Sequence, residues 1–131
     1  MRKVSLKGIF IGAAVNILGN MVWGFGVVLF FYYKFYQTQP MSQWMNSLAL
    51  NQTQVVLTAI VAGSFSILGG YVAARLAKHN ELLNGVLSSF FFFLWYLSEI
   101  GSGTKLDLFM GIIASPILAL IGGYLRLKQK R

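Results

Sequence analysis

Cysteine is absent from the chain, which removes disulfides, thiolate metal sites and cysteine nucleophiles together. Acidic residues are nearly as scarce: Glu81, Glu99 and Asp107 stand against eleven Lys and Arg. The lone histidine, His79, has no second His or carboxylate cluster to complete a metal site and reads as a solvated turn residue. Serines 64, 66, 88, 89 and 115 have no His and carboxylate to activate them, and there is neither a Walker loop nor a dinucleotide-binding glycine motif. These gaps argue against an enzyme, and no catalytic residue, metal or cofactor is expected.

What the chain does contain is apolar. Hydrophobic residues make up 56% of its 131 positions and aromatics 15%, with 11% charged, a balance outside that of a soluble domain. A spanning helix needs about 20 mostly apolar residues, and windows 6–33, 55–74, 82–98 and 106–125 qualify, the third being short. The expected fold is all-α: a single polytopic transmembrane domain, 1–131, with helices at about 6–36, 53–76, 81–99 and 104–126 arranged as two hairpins. The basic start MRKVSLK followed by a long apolar run reads as a retained first helix, since the run exceeds signal length and no small-residue cleavage site follows.

The net charge of +8 is distributed by position. With the N-terminus cytoplasmic, Arg2, Lys3, Lys7, Arg75, Lys78, Arg126, Lys128, Lys130 and Arg131 fall inside, and only Lys34 and Lys105 fall outside. This is a strong positive-inside bias, which sets an N-in, C-in orientation and attracts anionic headgroups. The charge therefore points to the bilayer as partner, with no nucleic acid.

Each hairpin's second helix ends in Gly-Gly-Tyr and basic residues: LGGYVAARLAK from Leu68 and IGGYLRLKQK from Ile121. An echo of this kind fits a parallel repeat, and equally fits independent use of the same boundary chemistry. Between helices one and two, Met41, Trp44, Met45 and Leu48 recur at helical spacing, so a short interfacial helix is expected at about 41–50. Asn80 is placed to cap helix three, and Thr104 with Asp107 makes a capping box for helix four.

Small and polar residues form stripes. Gly8, Gly12, Asn16, Asn20 and Gly24 recur every four positions in helix one, the pattern of a close right-handed crossing. Helix two carries Ala59, Gly63, Ser66, Gly70, Ala73 and Ala77 in a heptad-like seam, and helix four carries Gly111, Ser115, Ala119 and Gly122, with Pro116 as a source of kinking. These stripes serve helix packing, within one chain or between copies; Asn16, Asn20, Ser66 and Ser115 could instead line a polar path. Among the acids, Glu99 is the functional candidate, beside Tyr96 and the GSG loop, with a structural pairing to Lys105 as the plainer reading.

Small multidrug-resistance exporters and fluoride channels share this length and helix number. Helix one here lacks the carboxylate of the first, and only Phe90 to Phe93 echo the second. The run Gly69, Gly70, Tyr71, Ala73, Ala74, Arg75 followed by Glu81, Leu82, Leu83, Gly85 resembles that of uncharacterised bacterial four-helix membrane proteins with a GGYxAAR…ELLxG-like turn. The resemblance covers under a fifth of the chain; it implies a multi-pass protein of the bacterial inner membrane and carries no activity. The functional expectation is a non-enzymatic helix bundle acting as a homo-oligomer or as an accessory subunit of a membrane complex, with a small channel or transporter as the alternative.

Overall fold

The structure is a computed structural model that describes residues 4–35, 43, 52–98 and 109–129. Among them it is all-helical. α1 is Leu6–Phe35, α2 is Gln52–Ala77, α3 is Glu81–Ser88, α4 is Phe90–Ser98, and a π-helical turn at Met110–Ala114 leads into α5, Ser115–Gln129. The interfacial helix expected at about 41–50, the expected capping box at Thr104, Glu99 with its expected pairing to Lys105, and the terminal cations Arg2, Lys3, Lys130 and Arg131 lie outside the described residues.

Three helical segments are long and apolar enough to cross a membrane: Leu6–Lys34, Thr53–Ala77 and Gly111–Gln129. At ~1.5 Å per residue, the 30 residues of α1 reach about 45 Å, more than a hydrocarbon core of about 30 Å needs. The interior is inverted relative to a water-soluble domain. Its largest fully buried side chains are Asn16, Asn84, Ser88 and Ser89, whereas Val22 is 72% and Phe25 70% exposed. Small and polar groups inside and large apolar ones outside are what lipid selects, because helices in lipid associate by close packing and hydrogen bonds rather than by escape from water.

The expected third helix is two helices. Ser88 Oγ donates to the Gly85 carbonyl at 2.6 Å and Ser89 Oγ to that of Val86 at 2.7 Å, while Ser89 N–H reaches back only three residues, to Val86. Hydroxyls that bond the preceding turn compete with the backbone ladder, and the four aromatic rings that follow restart the helix at Phe90. The kink expected at Pro116 is absorbed one turn earlier. Proline lacks an N–H and crowds the carbonyl four residues back, and the wider π turn at Met110–Ala114 accommodates both.

α2 is the centre of the assembly, with α1 on one side and α5 on the other, while α3 packs on both α5 and α2. Contacts rise along α1 as they fall along α2, from Gly12 with Gly69 through Asn16 with Ser66 and Gly19 with Phe65 to Trp23 with Thr58, so these two helices are antiparallel. α2 and α5 run the same way: Ser66 meets Ser115, Gly70 meets Ala119, and Tyr71 meets Gln129. The two Gly-Gly-Tyr sequences consequently lie at one level, where Gly122 sits against the Ile67 carbonyl and the Tyr71 amide. Lys7, Arg75, Lys78, Arg126 and Lys128 gather at the end where α1 and α3 begin and α2 and α5 finish, whereas Lys34 closes α1 at the other. We call these the basic end and the far end.

Candidate functional site

The seam on α1 differs from the row of every fourth residue. A carbon added at Gly12 would stand 2.5 Å from the Gly69 carbonyl oxygen, and one at Gly8 2.8 Å from that of Ala73; Gly19 is pressed on the Phe65 ring. Gly24 meets nothing within 4 Å. Four residues turn about 400°, so from Gly8 to Gly24 the row has rotated by about 160° and left the interface. Gly8 and Gly12 face α2, and from Gly12 onward the facing residues are Asn16, Gly19, Trp23 and Gly26, spaced alternately by four and three, which is a heptad rhythm.

On α2, Gly63, Ser66, Gly70 and Ala73 are all buried within the chain. Gly63 faces Leu118 and Gly70 the Ala119 backbone, both of α5, while Ala73 faces Gly8 and Gly12 of α1. On α5, Gly122 touches α2 and Gly123 touches the Glu81 carbonyl and Leu82 of α3; Gly111 is buried in the π turn. Gly69 and Gly123, members of the two Gly-Gly pairs, make close contacts, and so do Gly19 and Gly85, which lie outside the stripes read from sequence. The seven-residue interval from Gly12 through Gly19 to Gly26 was the signal for Gly19.

Four residues from three helices meet in the interior. Asn20 Nδ2 donates to Asn16 Oδ1 at 2.9 Å and to the Asn16 carbonyl at 2.8 Å. Ser66 Oγ lies within donating distance of the same Asn16 Oδ1, at 3.3 Å, and of the Ala62 carbonyl, at 3.2 Å, and its single proton serves one of them at a time. Ser66 and Ser115 hydroxyls are 3.2 Å apart, and either can donate. Asn16, Ser66 and Ser115 are each at most 3% exposed. Residues 16, 66 and 115, spread over the whole chain, thus form one row of amide and hydroxyl groups. None of them titrates near neutral pH, so the row can hold a polar solute or tie helices together, but it offers no general acid or base.

A second polar knot lies at the basic end. Asn84, fully buried, accepts the Ser5 N–H on its Oδ1 at 2.9 Å and donates from Nδ2 to the His79 and Asn80 carbonyls, both at 3.0 Å. One side chain therefore ties the start of α1 to the turn between α2 and α3. Asn80 stands at the N-cap position of α3 but has φ 49°, ψ 50°, and its side chain makes no cap bond. An N-cap oxygen reaches the N–H groups of the first turn from an extended backbone; with Lys78 and Asn80 both left-handed, the turn is held from Asn84 instead. His79 is exposed, and no group of three or more His, Asp or Glu that could hold a metal occurs among the described residues. Glu81 opens α3 and is buried at 8% exposure. No family model, curated protein or solved structure matches the chain.

Proposed function

We propose that the chain is a non-enzymatic protein of the bacterial inner membrane, a bundle of four spans with both termini cytoplasmic, that acts by self-association or as the accessory subunit of a membrane complex. The fourth span is α3 with α4: residues 81–98 at ~1.5 Å each extend about 27 Å, close to a hydrocarbon thickness. The five cations gathered at the basic end favour placing it in the cytoplasm. The bacterial assignment rests on the resemblance of the Gly69 to Gly85 turn.

The observation that carries self-association is Gly24. It is exposed, a carbon added to it meets nothing within 4 Å, and Met21 and Val28, both exposed, share its face of α1. A small residue between larger ones on a lipid-facing helix lets a second helix approach backbone to backbone. The seam through Gly63 and Gly70 does not serve this purpose, since it is filled by α1 and α5 of the same chain. Because the chain has no cysteine, Met21→Cys gives a unique thiol. Oxidation in membranes should join two copies, and Gly24→Leu should abolish the link while leaving insertion intact. A Met21→Cys chain that never crosslinks, yet runs with other proteins in a native mass spectrum, would assign the face to a foreign subunit. One that stays a bare monomer would remove the proposal.

A second reading, a small channel or transporter, is favoured by the convergence of Asn16, Asn20, Ser66 and Ser115. Solute flux in proteoliposomes should then fall in Asn16→Leu; equal flux in the variant would discard the path.

A further inference from the structure

We infer that α4 and the π turn form one unit, hinged on two helix breaks that face each other, whose swing opens the buried row of Asn16, Ser66 and Ser115 toward the far end. What the opening serves rests on the channel or transporter reading above; the hinge itself rests on geometry.

The two breaks lie at one level. α3 and α5 are antiparallel, with Gly123 against the Glu81 carbonyl and Gly85 against that of Ala119. One turn on from Gly85 stands Ser89, where α3 gives way to α4, and one turn back from Ala119 stands Ser115, where the π turn gives way to α5. Ser115 is also the residue that α5 contributes to the polar row, 3.2 Å from Ser66 Oγ. Both helices of the second hairpin are therefore interrupted at the depth of that row.

Each break bends without leaving the backbone bare. An unbroken helix would give the Gly85 carbonyl to the Ser89 N–H; here it accepts the Ser88 hydroxyl, and the Val86 carbonyl accepts the Ser89 hydroxyl and N–H. A bare carbonyl is costly in lipid, and hydroxyls carried on the same turn keep these two supplied as the chain bends. On the facing helix Pro116 offers the ladder no N–H, and the irregular π turn precedes it.

Packing changes across the same level. α3 is held by α1, α2 and α5, with glycine backbones in close contact. α4 has no glycine, and among the described residues it meets the π turn more than any other element, leaving Phe90, Phe91, Leu94 and Leu97 exposed. Segments with few contacts to the rest of a fold open first, so α4 and the π turn move together against an interlocked basic half.

Amide exchange of the wild-type protein in lipid nanodiscs reads the opening. Residues 88–93 and 110–116 should exchange faster than 66–73. Ser88→Ala/Ser89→Ala returns the Gly85 and Val86 carbonyls to the ladder and should slow both segments about fivefold, the effect of one regained backbone hydrogen bond. Pro116→Ala should do the same from the facing helix, and serves if the serine variant does not fold. Because the chain has no cysteine, Ser115→Cys supplies a unique thiol. A charged methanethiosulfonate supplied in water at the far end should modify it, about fivefold more slowly when either hinge variant is combined with it. Segments 88–93 and 110–116 as protected as 66–73 would overturn the inference. So would stiffening of one helix that leaves exchange on the other unchanged, which would make the breaks independent, or a Ser115→Cys thiol modified at one rate in every variant, which would bring water to the row by another route. A hinge that passes these tests in a protein carrying no solute keeps the swing and removes the transport reading.

Discussion

Toward the basic end, α1 and α2 meet as Gly12 on Gly69 and Asn16 on Ser66; one to two turns farther out they meet as Gly19 on Phe65 and Trp23 beside Thr58. The first pairs bring backbones into contact and let short polar side chains bond across the gap. The second put side chains in between, with the Phe65 ring rather than backbone against Gly19. The same contrast holds for the rest of the bundle. α3 and α5 interlock through Gly85 and Gly123 at the basic end, whereas α4 and the π turn meet each other more than they meet α1 or α2. In lipid, where apolar surface has no reason to hide, residue size at the interface decides which half is rigidly joined.

The contrast is broken most severely at Gly122. A side chain there would be driven into the Ile67 carbonyl and the Tyr71 amide, which are main-chain atoms and cannot rotate away. Gly122→Leu should prevent α5 from docking and leave no cooperatively folded protein in detergent. Gly24→Leu, where nothing lies within 4 Å, should change stability by less than about 0.5 kcal/mol. Unfolding of both variants in mixed micelles measures the difference; comparable losses would mean that close backbone approach is not what holds the basic half.

Next in size is Asn84→Ala. It removes the side-chain partner of the Ser5 N–H and of the His79 carbonyl, while the Asn80 carbonyl keeps the Asn84 backbone N–H; each group left unsatisfied costs about 1–3 kcal/mol, reduced where water enters from the membrane edge. A net loss of about 2 kcal/mol is expected, with faster amide exchange at Ser5 and through the 78–80 turn. Loss of stability without that local exchange would place the role of Asn84 elsewhere.

How legible was this in sequence? The apolar windows forecast the three membrane-length segments because a helix in lipid must be apolar over its whole length. The stripes of small residues pointed to helix packing within one chain or between copies, and Gly12, Ser66, Gly70 and Ser115 are buried within the chain. The register on α1 was harder to read. Rows spaced by four and by alternating four and three share Gly12 and Asn16 and diverge only over several turns, so the row of fours takes in Gly24, which meets nothing within 4 Å, and passes over Gly19, which meets Phe65. Asn84 was hidden for another reason: its partners are backbone groups of Ser5, His79 and Asn80, and backbone partners leave no trace in residue type. The break at Ser89 had a signal in the paired serines, but competition between a hydroxyl and the helical ladder is settled by what the neighbouring helices leave open, and here Ser88 abuts Gly12.

The smallest expected effect tests the far half directly. The Trp23–Thr58 bond is 3.4 Å long and exposed, at the weak end of hydrogen-bond geometry. Interhelical bonds in membranes average about 0.6 kcal/mol, and a long, exposed one should fall below that. Thr58→Val keeps the shape and removes the acceptor, so it should cost no more than about 0.5 kcal/mol and leave the Trp23 emission maximum in place. A cost above about 1 kcal/mol would make this single bond a clamp on the far half. The rings at Phe65 and Trp23 would then be held in place by polarity as well as by size, and the contrast between a bonded half and a wedged half would no longer hold.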